Sequence, residues 1–128
     1  MKTLLILKCM ALSLILVSSC KKDEVSDNKL ADEKKLEQMG ADIQDFAKNK
    51  ACSGDDCKVI AMGAKACGGP SSFLIYSVSK VDEKVLTDKV KAYSDFEKVI
   101  NERYNRISNC AMIAIPQVDC VNGICTQK

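Results

Sequence analysis

Cys52, Cys57, Cys67, Cys110, Cys120 and Cys125 are the residues of this chain with the most chemistry to offer. A cysteine sulfur can bridge, ligate zinc or act as a nucleophile, and spacing and neighbours decide between these uses. Zinc sites built from clustered cysteines favour close C-x2-C pairs, commonly completed by histidine. Here the short spacings are CSGDDC and CVNGIC, and histidine is absent from the chain. The same absence removes Cys-His and Ser-His nucleophilic catalysis, c-type haem attachment and histidine metal sites. In an exported chain six such cysteines read as a framework of disulfides, with no metal and no cofactor.

Local geometry suggests one pairing. Asn122-Gly123 is a strong signal for a two-residue type I′ hairpin turn. That turn makes Val121 and Ile124 the hydrogen-bonded pair and sets Cys120 opposite Cys125 at the next position. At a non-hydrogen-bonded position the Cα atoms lie about 4.5 Å apart, within disulfide range. The expectation is therefore Cys120–Cys125. The other four cysteines allow three arrangements. Closing the turn-prone SGDD with Cys52–Cys57 leaves Cys67 to meet Cys110, and this set is preferred. Cys52–Cys67 with Cys57–Cys110, and Cys52–Cys110 with Cys57–Cys67, stay open.

The N-terminus supplies the export signal. MKTLLILK carries only Lys2 and Lys8 as charges, CMALSLILV follows, and Ser18-Ser19 precede Cys20. This is the charged, apolar, small-residue order of a signal peptide over residues 1–19. It is a poor membrane span, because a span needs about 20 apolar residues and Lys8 interrupts this one. The residues VSSC resemble the lipobox of bacterial lipoproteins. The resemblance implies that Cys20 becomes the first mature residue and carries acyl chains on its thiol and amine. Two or more chains make a durable anchor, since each buried methylene contributes about 0.8 kcal/mol. Lys21-Lys22-Asp23-Glu24 resembles the signal that sends some lipoproteins of the Bacteroidota to the outer face of the outer membrane. Removal of residues 1–19 would take away two lysines and bring the 19 basic residues down to the 17 acidic ones. A neutral chain without a basic, aromatic-interleaved stripe lacks the footprint of a nucleic-acid partner.

The rest divides into a tether over 20–28 and one domain over 29–128. KKDEVSDN has no apolar pattern to pack. From Asn28, Leu36, Met39, Ile43 and Phe46 step by three, four and three, the stripe of an amphipathic helix interrupted by Gly40. KVIAM and SFLIYSV read as strands. Leu86, Val90, Tyr93, Phe96, Ile100, Tyr104 and Ile107 trace one face of a second helix of about 25 residues, with acids and bases between them. MIAI (112–115) and the hairpin of CVNGIC complete the pattern. The fold class expected is α+β: a small disulfide-stabilised single domain, one long amphipathic helix on a small, mostly antiparallel sheet, preceded by an N-terminal helix.

Asp55, Asp56, Lys65, Gly68, Gly69 and Pro70 make up a candidate interaction loop. Gly68-Gly69-Pro70 cannot be a phosphate loop, which needs lysine and a hydroxyl after the last glycine, and suits a tight corner. Asp55-Asp56 lacks the alternating acids of a calcium loop. Tyr76 reads as core, and Lys65 as a solvated lysine able to meet an anion. The order of Cys57, GAKACGGP, Phe73, Tyr76-Ser77, a polar helix, Ser108-x-Cys110, Pro116 and C-x2-G-x-C resembles a group of small exported bacterial proteins and lipoproteins without an established activity. That resemblance implies an exported disulfide domain and supplies no catalytic residue. The expectation is a non-enzymatic, lipid-anchored envelope protein that binds an envelope or extracellular partner. The alternative is an extracellular hydrolase inhibitor presenting a constrained loop.

Overall fold

The computed structural model describes residues 22–128. Cys20 and the signal peptide lie outside them. The elements run α1 (Lys22–Phe46), β1 (Cys57–Met62), β2 (Ser72–Ser77), α2 (Glu83–Arg103), β3 (Val118–Val121) and β4 (Ile124–Gln127). Both sheets are two-stranded and antiparallel, β1 with β2 and β3 with β4. The α+β class holds, with two small sheets in place of one. No described helix is long and apolar enough to cross a membrane.

The expected stripe of α1 faces inward through Leu36 and Ile43, and Ala47 just beyond the helix is buried with them. The helix begins at Lys22 rather than near Asn28 and takes in the charged stretch read as a tether. Lysine, glutamate and alanine are good helix formers, so a run without a packing stripe can still join a helix that is anchored further on. Gly40 faces α2: a Cβ there would lie 3.4 Å from the Tyr93 ring, at van der Waals contact. Tyr104 donates to Asp32 at 2.8 Å and Arg103 pairs with the same carboxylate, tying α1 to the end of α2. The Tyr104 hydrogen bond, followed by the Arg103 charge, holds the Asp32 carboxyl below its usual range.

Helix α2 starts where Asp82 accepts from the Val85 amide at 3.0 Å, an N-cap. Its apolar stripe buries Leu86, Val90 and Ile100. The main core joins Leu86 and Val90 to Ile43, Ala47, Met62, Leu74 and Tyr76. The helix ends at Arg103, short of the expected Ile107. Asn105 takes a left-handed φ of 46°, the Arg106 amide donates to the Asn101 carbonyl at 3.0 Å, and the Asn105 amide reaches the Glu102 carbonyl at 3.5 Å. This is a Schellman termination with asparagine in the position that glycine usually fills. Ile107, thrown off the helix, is 97% exposed.

Residues 106–117 carry no regular secondary structure, so MIAI is not a strand. A strand needs a partner, and β1–β2 and β3–β4 each close on themselves. Residues 50–52 instead lie beside β4: Ala51 bridges to Ile124, the Cys125 amide donates to the Lys50 carbonyl, and the Cys52 amide to the Gly123 carbonyl.

Leu86 is fully buried, and truncating such a leucine removes its transfer free energy and leaves a cavity. Leu86→Ala should lower stability by about 2–5 kcal/mol, read as a fall in the midpoint of denaturant unfolding with disulfides intact. Val85→Ala, one residue away on the exposed side, should stay within about 0.5–1 kcal/mol.

Candidate functional site

The hairpin register is the one read from Asn122-Gly123. Cys120 pairs with Cys125 and Val121 with Ile124, and the turn residues have φ of 52° and 77°. The bridges are different. Cys52 bonds to Cys120 and Cys57 to Cys125, with Cα separations of 5.9 and 5.4 Å. Both expected local bridges, Cys120–Cys125 and Cys52–Cys57, are thereby corrected. Residues directly opposite in an antiparallel pair project from the same face, so both hairpin sulfurs turn toward the loop that carries Cys52 and Cys57. Each finds its partner across the layer rather than along the ladder.

Both bridges span 68 residues of sequence. On the chain-entropy model the first loop of that length is worth about 4 kcal/mol, and the second less because the chain is already closed. The sulfurs of Cys52, Cys57 and Cys125 lie within 4.8 Å of one another. Free thiols so grouped could hold a metal; here all three are spent in disulfides.

The proposed interaction loop divides into two. Asp55 and Asp56 precede β1 and Lys65, Gly68, Gly69 and Pro70 follow it, so they sit at opposite ends of a strand roughly 20 Å long. Asp56 accepts from the Ser53 amide at 3.0 Å and from its hydroxyl at 3.4 Å, and the amide bond leads the causes that lower its carboxyl. This is an ordinary turn. Tyr76 is likewise structural: its hydroxyl donates to Glu83 at 2.8 Å, and Lys58 pairs with Glu83 at 3.0 Å. Burial first, then the hydrogen bond to Glu83, pushes the phenol up to about 12. The Tyr76 hydrogen bond, then Lys58, holds Glu83 below its ordinary value.

The connection from Gly63 to Ser71 makes the more constructed surface. Gly68 and Gly69 have φ of 101° and 80°, as a tight corner requires. Gly68 donates to the Lys65 carbonyl and Lys65 to the Gly69 carbonyl. Helix α2 holds this loop with three polar side chains. Ser94 accepts from the Gly63 amide at 2.9 Å, Glu97 from the Ala64 amide at 2.7 Å and the Ser71 hydroxyl at 2.8 Å, and Asn101 donates to the Ala64 carbonyl at 2.7 Å. Gly63, with φ of 84°, leaves the room: a Cβ there would meet Glu97 Oε2 at 2.5 Å. Reading the residues between the apolar positions as a wet face missed this clamp. Its signal was present in the three-then-four spacing of Ser94, Glu97 and Asn101, which stacks them as one helical stripe.

Between this loop and the residues after α2 lies an open cleft of about 210 Å³, lined by Lys65, Ser71, Glu97, Asn101, Arg106 and Ser108 among others. Arg106 Nη1 is buried without a hydrogen-bond partner. Lys65 crosses the rim and donates to the Ala111 carbonyl at 2.6 Å. Cys67 and Cys110, the expected third bridge, come together here as free, exposed thiols around Ser108.

Peptide mapping of unreduced protein should recover linked peptides joining Cys52 to Cys120 and Cys57 to Cys125. Recovery of Cys52–Cys57 and Cys120–Cys125 instead would contradict the cross-layer arrangement.

No family model, no curated protein and no solved structure matches this chain.

Proposed function

We propose that this protein is a lipid-anchored component of a bacterial cell envelope, held at the outer membrane through Cys20, whose disulfide-bonded domain is a non-enzymatic binding module. The observation that carries the reading is the pair of long-range bridges on a chain that opens with an export signal and a lipobox-like VSSC. Such bridges persist in oxidising compartments outside the cytosol. The binding surface is the cleft with its flanking segment 106–117, where Ile107 and Met112 are almost fully exposed. Lys65 and Arg106 give it cationic groups beside apolar ones, which suits an envelope or extracellular protein partner more than nucleic acid.

The test is intact mass of the protein extracted from membranes. The expected species starts at Cys20 and carries acyl mass, and Cys20→Ala should move the protein out of the membrane fraction. An unmodified Cys20 with residues 1–19 attached would overturn the anchor.

A second reading is inhibition of an extracellular hydrolase. It is favoured by the loop 53–56, which is flanked by Cys52 and Cys57 and bolted by both to the β3–β4 hairpin. A loop fixed at both ends loses little entropy on binding. The protein would then slow at least one protease or glycosidase in a broad panel at a stoichiometric concentration, and uniform lack of inhibition would remove this reading.

A further inference from the structure

Cys67 and Cys110 approach from two unlike supports. Cys67 sits in the loop whose start, at Gly63 and Ala64, is clamped to α2 by Ser94, Glu97 and Asn101. Cys110 sits in the segment without regular structure, which meets the clamped loop through the Lys65 side chain at the Ala111 carbonyl and the Cys67 amide at Ser108 Oγ. Ser108 touches both sulfurs. Its hydroxyl is 3.3 Å from Cys67 Sγ, its carbonyl is 3.8 Å from Cys110 Sγ, and Cys67 Sγ also lies 3.6 Å from the Asn109 carbonyl. Both thiols are exposed, whereas Cys125 in the closed framework is only 4% exposed.

We propose that Cys67 and Cys110 form a solvent-accessible dithiol–disulfide couple that exchanges with external disulfides, Cys67 attacking and Cys110 resolving, while the two cross-layer bridges stay closed. The external reactant is a small-molecule or protein disulfide. Cys67 thiolate attacks one of its sulfurs, forming a mixed disulfide and releasing one thiolate. Cys110, after losing its proton to solvent, attacks the Cys67 sulfur, closes Cys67–Cys110 and expels the second thiolate. Two protein thiols and one external disulfide thus become one protein disulfide and two external thiols, with two electrons passing outward.

The environment separates the two roles. The hydrogen bond from the Cys110 thiol, then that from Ser108, lowers the Cys67 thiol below its ordinary range, with Lys65 adding in the same direction. The same pairing pushes Cys110 up. A lowered thiol holds more thiolate at a given pH, which makes Cys67 the readier attacking group of the two. Closure would tie the irregular segment covalently to the clamped loop along the rim of the cleft. The couple stands independently of whether Cys20 is acylated.

The test uses the full chain equilibrated in mixtures of reduced and oxidised glutathione, acid-quenched, alkylated and peptide-mapped. Cys67–Cys110 should pass between dithiol and disulfide across the series with a two-electron dependence, while Cys52–Cys120 and Cys57–Cys125 remain linked. In Cys110→Ser, glutathione should accumulate on Cys67. In Cys67→Ser, glutathionylation of Cys110 should be slower than that of Cys67 in Cys110→Ser. The wild-type series needs no substituted protein. Thiols that never bridge, glutathione retained on both cysteines without closure, or a Cys67–Cys110 bridge as resistant to reduction as the other two would each overturn the proposal.

Discussion

A two-stranded sheet is barely stable alone, and the described residues form two of them that share no strand. The constraint that makes them one structure is the double bridge from Cys52 and Cys57 to Cys120 and Cys125. It fastens the start of β1 to the β3–β4 hairpin and holds residues 50–52 beside β4, where backbone hydrogen bonds add to the join. Ser77, fully buried, donates to the Ala51 carbonyl at 2.7 Å and so satisfies the strip between the sheets. Without the bridges the hairpin would have few contacts to keep it, because its strands are short and mostly exposed.

Helix α2 is the second organiser, and it works with two stripes. The apolar one buries Leu86, Val90 and Ile100, and the first two close the core over β1–β2 and α1. The polar one, Ser94, Glu97 and Asn101, answers the backbone groups of the Gly63–Ser71 connection. A loop that would otherwise rely on water for its amides is satisfied by a rigid element, since buried or half-buried donors are costly to leave unpaired. The cleft and Cys67 inherit that rigidity. The segment after Asn105 has no regular structure and meets the loop through side chains, Lys65 at the Ala111 carbonyl and Ser108 at the Cys67 amide.

The two ends of β1 also differ electrostatically. Lys65 and Arg106 approach the cleft near Glu97 and the polar groups of Ser71, Asn101 and Ser108. At the far end of β1, Asp56 is engaged with Ser53, and Tyr76, Glu83 and Lys58 form a closed set. Polar groups there satisfy one another, whereas Arg106 Nη1 in the cleft has no partner.

What the sequence determined by itself was local. The apolar stripes of both helices, the Asn122-Gly123 register, the SGDD turn and the Gly68-Gly69-Pro70 corner all rest on interactions within a few residues, where spacing and φ preference are sufficient causes. The stop at Asn105 was not read, because the apolar spacing runs on to Ile107; the left-handed cap overrode it. Partner choice belonged to the tertiary structure. Cys120 and Cys125 stand opposite one another as read, yet which sulfur each one meets depends on which layer covers that face of the hairpin, and nothing in CVNGIC encodes the neighbour. For the same reason MIAI, strand-like in composition, is no strand for want of an edge to join, and Ser94, Glu97 and Asn101 became a clamp only because the fold brought unsatisfied backbone against that side of α2.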